Sequence, residues 1–229
     1  MKKIFKKGVV PILLILVILF VLIDILIILG GSAAVGAMAG SFSREGTPSE
    51  NGIISGEDYG NILPSGLGCA SVPLYRQNQE PWASVSYGCG GTTISSSGCG
   101  VTSAAMVLKY YGVDTNPAIL ANLSLNSGYR TCGSGTAHGF FPWIADYYGL
   151  QSQNNIGWNA ILENLNNGRP VIVSGQGSEP FTSSGHFIVL TCYNEDGTIS
   201  INDPARGIGI YDAGIIQSQM HFSSLIYKE

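Results

Sequence analysis

Ser97-Gly98-Cys99-Gly100-Val101-Thr102-Ser103-Ala104-Ala105-Met106-Val107-Leu108-Lys109-Tyr110-Tyr111-Gly112 is the stretch around which the rest of the chain is organised. Apolar residues at 101, 104, 105, 106, 107, 108, 110 and 111 cover nearly every side of a predicted helix over 99–111, and Gly112 is its stop. Only Thr102, Ser103 and Lys109 break that surface. A helix apolar almost all round belongs inside a domain. Its first residue, Cys99, meets unpaired N–H groups and the positive end of the helix dipole, a setting that favours a sulfur anion. Taken alone, the segment fits either a prepared nucleophile or a small core cysteine. Residues elsewhere must choose.

The chain has 229 residues, room for one domain of about 150 residues plus appendages. A net charge of −4 with only 11% charged residues leaves no basic footprint, so no nucleic-acid partner is expected. The 31 glycines predict a loop-rich domain.

The N-terminus carries an address. Lys2, Lys3, Lys6 and Lys7 precede an apolar run from Gly8 to Gly30 whose single charge is Asp24. About 20 such residues span a bilayer, and the lysines hold their end in the cytoplasm. Residues 1–30 are therefore expected to be a Lys-rich tip and single-pass transmembrane helix, which puts the rest of the chain outside the cell membrane. A cleaved signal peptide is the competing reading, helped by small residues between Ala33 and Gly40, but the run is long for a secretory core. Residues 31–68 turn to Gly, Ser, Ala, Glu, Asn and Pro and predict a flexible linker, whose span as a coil is on the order of 35 Å. Residues 69–229 remain for the folded domain.

Within that domain Asn116-Pro117 caps and opens a short helix through Leu123. Further helices are expected over 141–148 and 158–165. Strands are expected at 170–174, 187–193 and 198–202, with one more at 208–211, and Glu195-Asp196-Gly197 marks a hairpin between the second and third. Helices first and antiparallel strands second predict an α+β domain.

Of the three histidines, His138, His186 and His221, His186 stands in Ser184-Gly185-His186-Phe187 at the mouth of the hairpin strand, where a glycine leaves room for approach. It is the candidate general base. With a two-residue loop at Asp196-Gly197, Leu190 would face Asp203, and alternation puts His186, Leu190 and Asp203 on one sheet face. Asp203 is then the candidate orienting residue, but about 13 Å away along a flat strand, so twist or a bulge must close the gap. Asn202 alternates to the other face. Asp203-Pro204 also reads as an ordinary turn opener.

Upstream lies Val72-Pro73-Leu74-Tyr75-Arg76-Gln77-Asn78-Gln79-Glu80-Pro81-Trp82-Ala83. Gln77 to Trp82-Ala83, then Tyr87-Gly88, Ser-Gly-Cys-Gly, Gly-Arg-Pro-Val-Ile-Val, Gly-His-Phe-Ile-Val-Leu and Asn-Asp-Pro-Ala, in that order over about 72–210, resemble a papain-like cysteine peptidase domain akin to cysteine peptidase family thirty-nine, the bacteriocin-leader processing peptidases. The resemblance implies a papain-like fold, a buried helix carrying the cysteine against an antiparallel sheet. It implies Cys99 as nucleophile, His186 as base, Asp203 as third triad member and Gln77 as an oxyanion donor, with Gln79 as the competitor at poorer spacing. The implied chemistry is acyl transfer by a thiol on a peptide or cell-wall peptide, with no cofactor and no metal, since the scattered histidines lack paired-cysteine spacing. The alternative is an idle papain-like module that binds peptides at the cell surface without turnover.

Five cysteines are present. Apart from Cys99, the remaining Cys69, Cys89, Cys132 and Cys192 permit three pairings. The first three lie in glycine-rich loops suited to disulfides in an oxidising place, whereas Cys192, inside a strand, reads equally as core. Phe140, Phe141, Trp143 and Trp158 read as core aromatics before they read as a groove lining.

Overall fold

The computed structural model describes residues 69–229. The transmembrane helix expected over 1–30 and the linker over 31–68 lie outside the described residues. Among the described residues no helix is long and apolar enough to cross a membrane.

The chain runs α1 (Ile94–Ser97), α2 (Cys99–Tyr110), α3 (Pro117–Asn126), a small ribbon of β1 (Arg130–Thr131) and β2 (Gly135–Thr136), α4 (Phe140–Tyr147), β3 (Gln151–Asn154) and α5 (Trp158–Asn166). Then come β4 (Val171–Gly175), β5 (His186–Tyr193), β6 (Thr198–Asp203), β7 (Gly207–Asp212), α6 (Ala213–Gln219) and β8 (Met220–Tyr227). β3 to β8 form one six-stranded sheet in the order β3-β8-β4-β5-β6-β7, antiparallel at every pairing. The α+β expectation holds. The last strand does not extend the sheet in sequence order but inserts between β3 and β4.

α2 is the core of one layer. Every residue from Gly100 to Leu108 is buried, Thr102 and Ser103 included. Its apolar side chains pack with Ile172, Phe187, Val189, Phe222 and Ile226. The alternate residues Val171, Val173, Ile188, Leu190 and Leu225 point the other way and join Ile161 and Leu165 of α5. Because both faces of the central strands are covered, Phe187 to Cys192 is buried without interruption, which explains its apolar run from Phe187 to Leu190.

Phe140 and Phe141 are fully buried, and Trp143 and Trp158 pack partly buried against the two clusters. Disulfides join Cys69 to Cys192 and Cys89 to Cys132. Cys192 is therefore buried as part of a bridge rather than as a free core cysteine.

Candidate active site

Both glycines of Ser-Gly-Cys-Gly answer to close contacts. A Cβ on Gly98 would sit 2.6 Å from the Ile94 carbonyl oxygen, because α1 turns directly into α2 at that point. A Cβ on Gly100 would sit 2.6 Å from Cβ of Thr136 and 2.7 Å from its Oγ1, so the β1–β2 ribbon lies hard against the first turn of α2. The ribbon is held from beneath: the fully buried Tyr87 hydroxyl shares hydrogen bonds with Ser124 Oγ at 2.8 Å and Thr136 Oγ1 at 2.9 Å. Cys99 emerges between these glycines, half-buried, and is the free cysteine among the described residues.

His186 and Asp203 meet: Nε2 donates to Oδ1 at 2.7 Å. The expected gap closes through two shifts of register. The hairpin loop spans Glu195-Asp196-Gly197, closed by Asn194 N–H donating to the Thr198 carbonyl at 2.8 Å, and Gly197 takes the left-handed φ of 83° that such a turn requires. A bulge at Thr191 then moves the pairing again, so Val189 faces Asn202 and Leu190 faces Ile201. Continued by one residue, this register sets Asp203 opposite Ile188 instead of Leu190. His186 is two residues away, roughly 7 Å, on the same face. The bulge has a partner of its own, since the Thr191 carbonyl accepts from the Ala70 N–H at 2.9 Å.

The segment before the helix is tied to the turn after β6. The Gln77 N–H donates to the Pro204 carbonyl at 2.7 Å, Arg76 Nη2 to the Ala205 carbonyl at 2.8 Å, and Asn202 Nδ2 to the Val72 carbonyl at 3.0 Å. Asn202 is thus a clamp for the segment, and its side-chain amide bonds to Val72 rather than to the histidine. Trp82 Nε1 closes the loop on the Arg76 carbonyl at 2.7 Å. Gln77 is buried and Gln79 exposed. One hydrogen of the Gln77 side-chain amide goes to the Ser95 carbonyl at 2.7 Å, and the second is left for another acceptor.

Charge follows geometry. Burial alone would lower the His186 pKa, but the hydrogen bonds that the ring makes to Asp203 and Cys99, with the charges of both, raise it to about 9. Burial would raise the Asp203 pKa, yet the bond and charge of His186, then the bond from Arg206, hold it below the ordinary carboxylate value. Arg206 escaped the sequence reading. Its signal is the spacing Asp203-Pro-Ala-Arg206, which returns a guanidinium to the carboxylate across one turn at 2.8 Å.

The other two histidines stand elsewhere. His138 stacks on Phe222 with ring centres 3.8 Å apart, and its pKa is lowered by burial and by His221, whose Nε2 is 3.5 Å from Ser174 Oγ. No group of three or more His, Cys, Asp or Glu among the described residues is arranged to hold a metal ion.

The family model described as "Peptidase_C39 like family" matches residues 69–217, more than half of the chain. The chain belongs to this family. Solved structures similar to the C39-like domain include the peptidase domain of Streptococcus ComA, a bi-functional ABC transporter involved in a quorum sensing pathway, at 19% identity and a TM-score of 0.48 over 58% of this chain and 92% of that one. A double glycine motif protease from an AMS/PCAT transporter, solved in complex with the leader peptide, is 20% identical at a TM-score of 0.48 over 72% and 98%. A putative C39-like peptidase from Bacillus anthracis is 19% identical at a TM-score of 0.46 over 69% and 96%. Comparison with curated proteins returned no match.

Proposed function

We propose that this C39-like chain is a membrane-anchored thiol hydrolase, a cysteine peptidase or amidase, whose domain faces the outside of the cell and cleaves peptides, including the stem peptides of the cell wall. The observation that carries the reading is the imidazole of His186, fixed to Asp203 at 2.7 Å, with its pKa raised to about 9 partly by Cys99 itself. At neutral pH that ring carries its proton beside the sulfur.

Cys99 Sγ attacks the carbonyl carbon of the scissile bond, and the oxyanion that forms lies against the Cys99 N–H and the second hydrogen of the Gln77 amide. The Cys99 N–H, at the first helical position, has no intrahelical acceptor. His186 gives its proton to the departing amine as the C–N bond breaks, leaving an acyl thioester. Water, deprotonated by His186, then attacks the thioester, and the carboxylic acid leaves as the proton returns toward sulfur. Asp203 keeps the ring in the orientation that serves both steps.

The membrane assignment rests on the lysines and apolar run of residues 1–30. Its outward direction is supported by two disulfides, which persist in oxidising places. The test is mass-spectrometric mapping of cysteine alkylation from pH 5 to 9, followed by a peptide-hydrolysis screen. Rapid labelling of Cys99 that is lost in His186→Ala, and hydrolysis lost in Cys99→Ala, are the expected results. A partner held equally by wild type and Cys99→Ala, with no product formed, would instead establish the idle binding module.

A further inference from the structure

Arg206 sits in the turn after β6, three residues beyond Asp203, and its guanidinium joins two separate parts of the molecule. Nη1 donates to Asp203 Oδ2 at 2.8 Å and to the Pro180 carbonyl at 3.0 Å. Nη2 reaches the Phe181 carbonyl at 3.5 Å, and Nε lies 3.4 Å from Glu179 Oε1. Residues 179–181 belong to the connection 176–185, which leads from β4 straight into His186. That connection is seated by Phe181, 1% exposed, whose ring lies where a Cβ on Gly175 would come within 2.6 Å.

One side chain therefore grips both the carboxylate that orients His186 and the segment that delivers His186 to the sheet. On Asp203 the division is complete. Oδ1 accepts from His186, from the Ala205 N–H at 2.7 Å and from the Arg206 N–H at 3.3 Å, while Oδ2 accepts from the guanidinium. The Arg206 side chain is 36% exposed, so its charge is partly screened. What a planar fork supplies here is direction.

We propose that Arg206 is a positioning residue that locks Asp203 and the 176–185 connection into one arrangement, so that the His186 ring stays aimed at Cys99. The proposal rests on the reading of Cys99, His186 and Asp203 as a working triad. The charged and titratable groups against His186 are Asp203 from β6 and Cys99 from α2, with Arg206 behind Asp203 and Glu179 behind Arg206. Loss of the guanidinium acts on His186 in two opposite ways. Withdrawing a nearby positive charge raises the pKa of the ring, whereas loosening Asp203 lowers it. A positioning role requires the second effect to win.

The experiment is a pH titration of the three histidine rings by NMR in the full chain, with the His186 signal assigned by its loss in His186→Ala. In Arg206→Ala and Arg206→Gln the His186 pKa is expected to fall by about one unit or more. Alkylation of Cys99 at pH 7 slows in parallel, and Arg206→Lys recovers part of both. A folded Arg206→Gln chain whose His186 titrates at the wild-type value or above it overturns the proposal. If Arg206→Ala does not fold, Arg206→Gln decides alone. Failure of the underlying triad has a separate signature: Cys99 alkylates as fast in His186→Ala as in the wild type, before any Arg206 variant is made.

Discussion

His186 and Asp203 shift in opposite directions, and the signs fix a window of stability. His186 has a folded pKa of about 9 against an ordinary 6.5, so its contribution is complete below about 6.5 and is lost as pH rises through 9. Asp203 is held below its ordinary 3.8, so its contribution is complete above that value and is lost as pH falls beneath it. Urea unfolding should show the pair's full contribution between about pH 4 and 6.5, and His186→Ala should remove the slope between 6.5 and 9. Hydrolysis should fall off above about pH 9, where the ring no longer has a proton for the leaving amine. Gln77→Ala separates binding of the oxyanion from activation of the sulfur. It should lower kcat by about a hundredfold or more, with Cys99 alkylation unchanged. Gly100→Ala drives a methyl group into Thr136, and calorimetry should report a loss of about 1–3 kcal/mol.

The elements that position the cysteine were legible because their residues say so. The apolar helix with Cys99 at its head, the Asn116-Pro117 cap and the β-branched runs of β4 to β6 all spell their structure locally. Asn116 Oδ1 accepts the Ile119 N–H at 3.0 Å, as a cap should. What could not be read is polar or non-local. β8, inserted between the edge strand β3 and β4, carries Ser223 and Ser224, both buried, and Ser223 Oγ donates to the Ile156 carbonyl at 3.0 Å. β3 is an edge strand of Gln, Ser and Asn with alternating exposure and no apolar side chain to announce it. The Thr191 bulge, which sets the separation of His186 and Asp203, depends on the Ala70 N–H more than a hundred residues away in sequence. The β1–β2 ribbon has a staple of its own. Reducing Cys89–Cys132, or replacing both residues by serine, frees a loop of 43 residues and should cost about 3–4 kcal/mol by denaturant titration.

At the scale of the whole molecule, the three parts of the candidate site come from opposite ends of the domain: Gln77 from the entering segment, Cys99 from the buried helix, and His186 with Asp203 from the sheet. In intact cells an added protease should release the domain while sparing the N-terminal lysines, and digestion only after lysis would refute the proposed topology. The bridge from Cys69 to Cys192 closes a covalent loop that contains Gln77, Cys99 and His186. If residues before Cys69 are fixed at one surface and a bound polymer is fixed at another, tension along the main chain enters at Cys69. It then has a direct path through sulfur into β5 at Cys192, next to the strand's last residue. A load carried on past Cys192 cannot draw out the chain between 70 and 191, so for that load the bridge acts as a mechanical shunt around most of the candidate site.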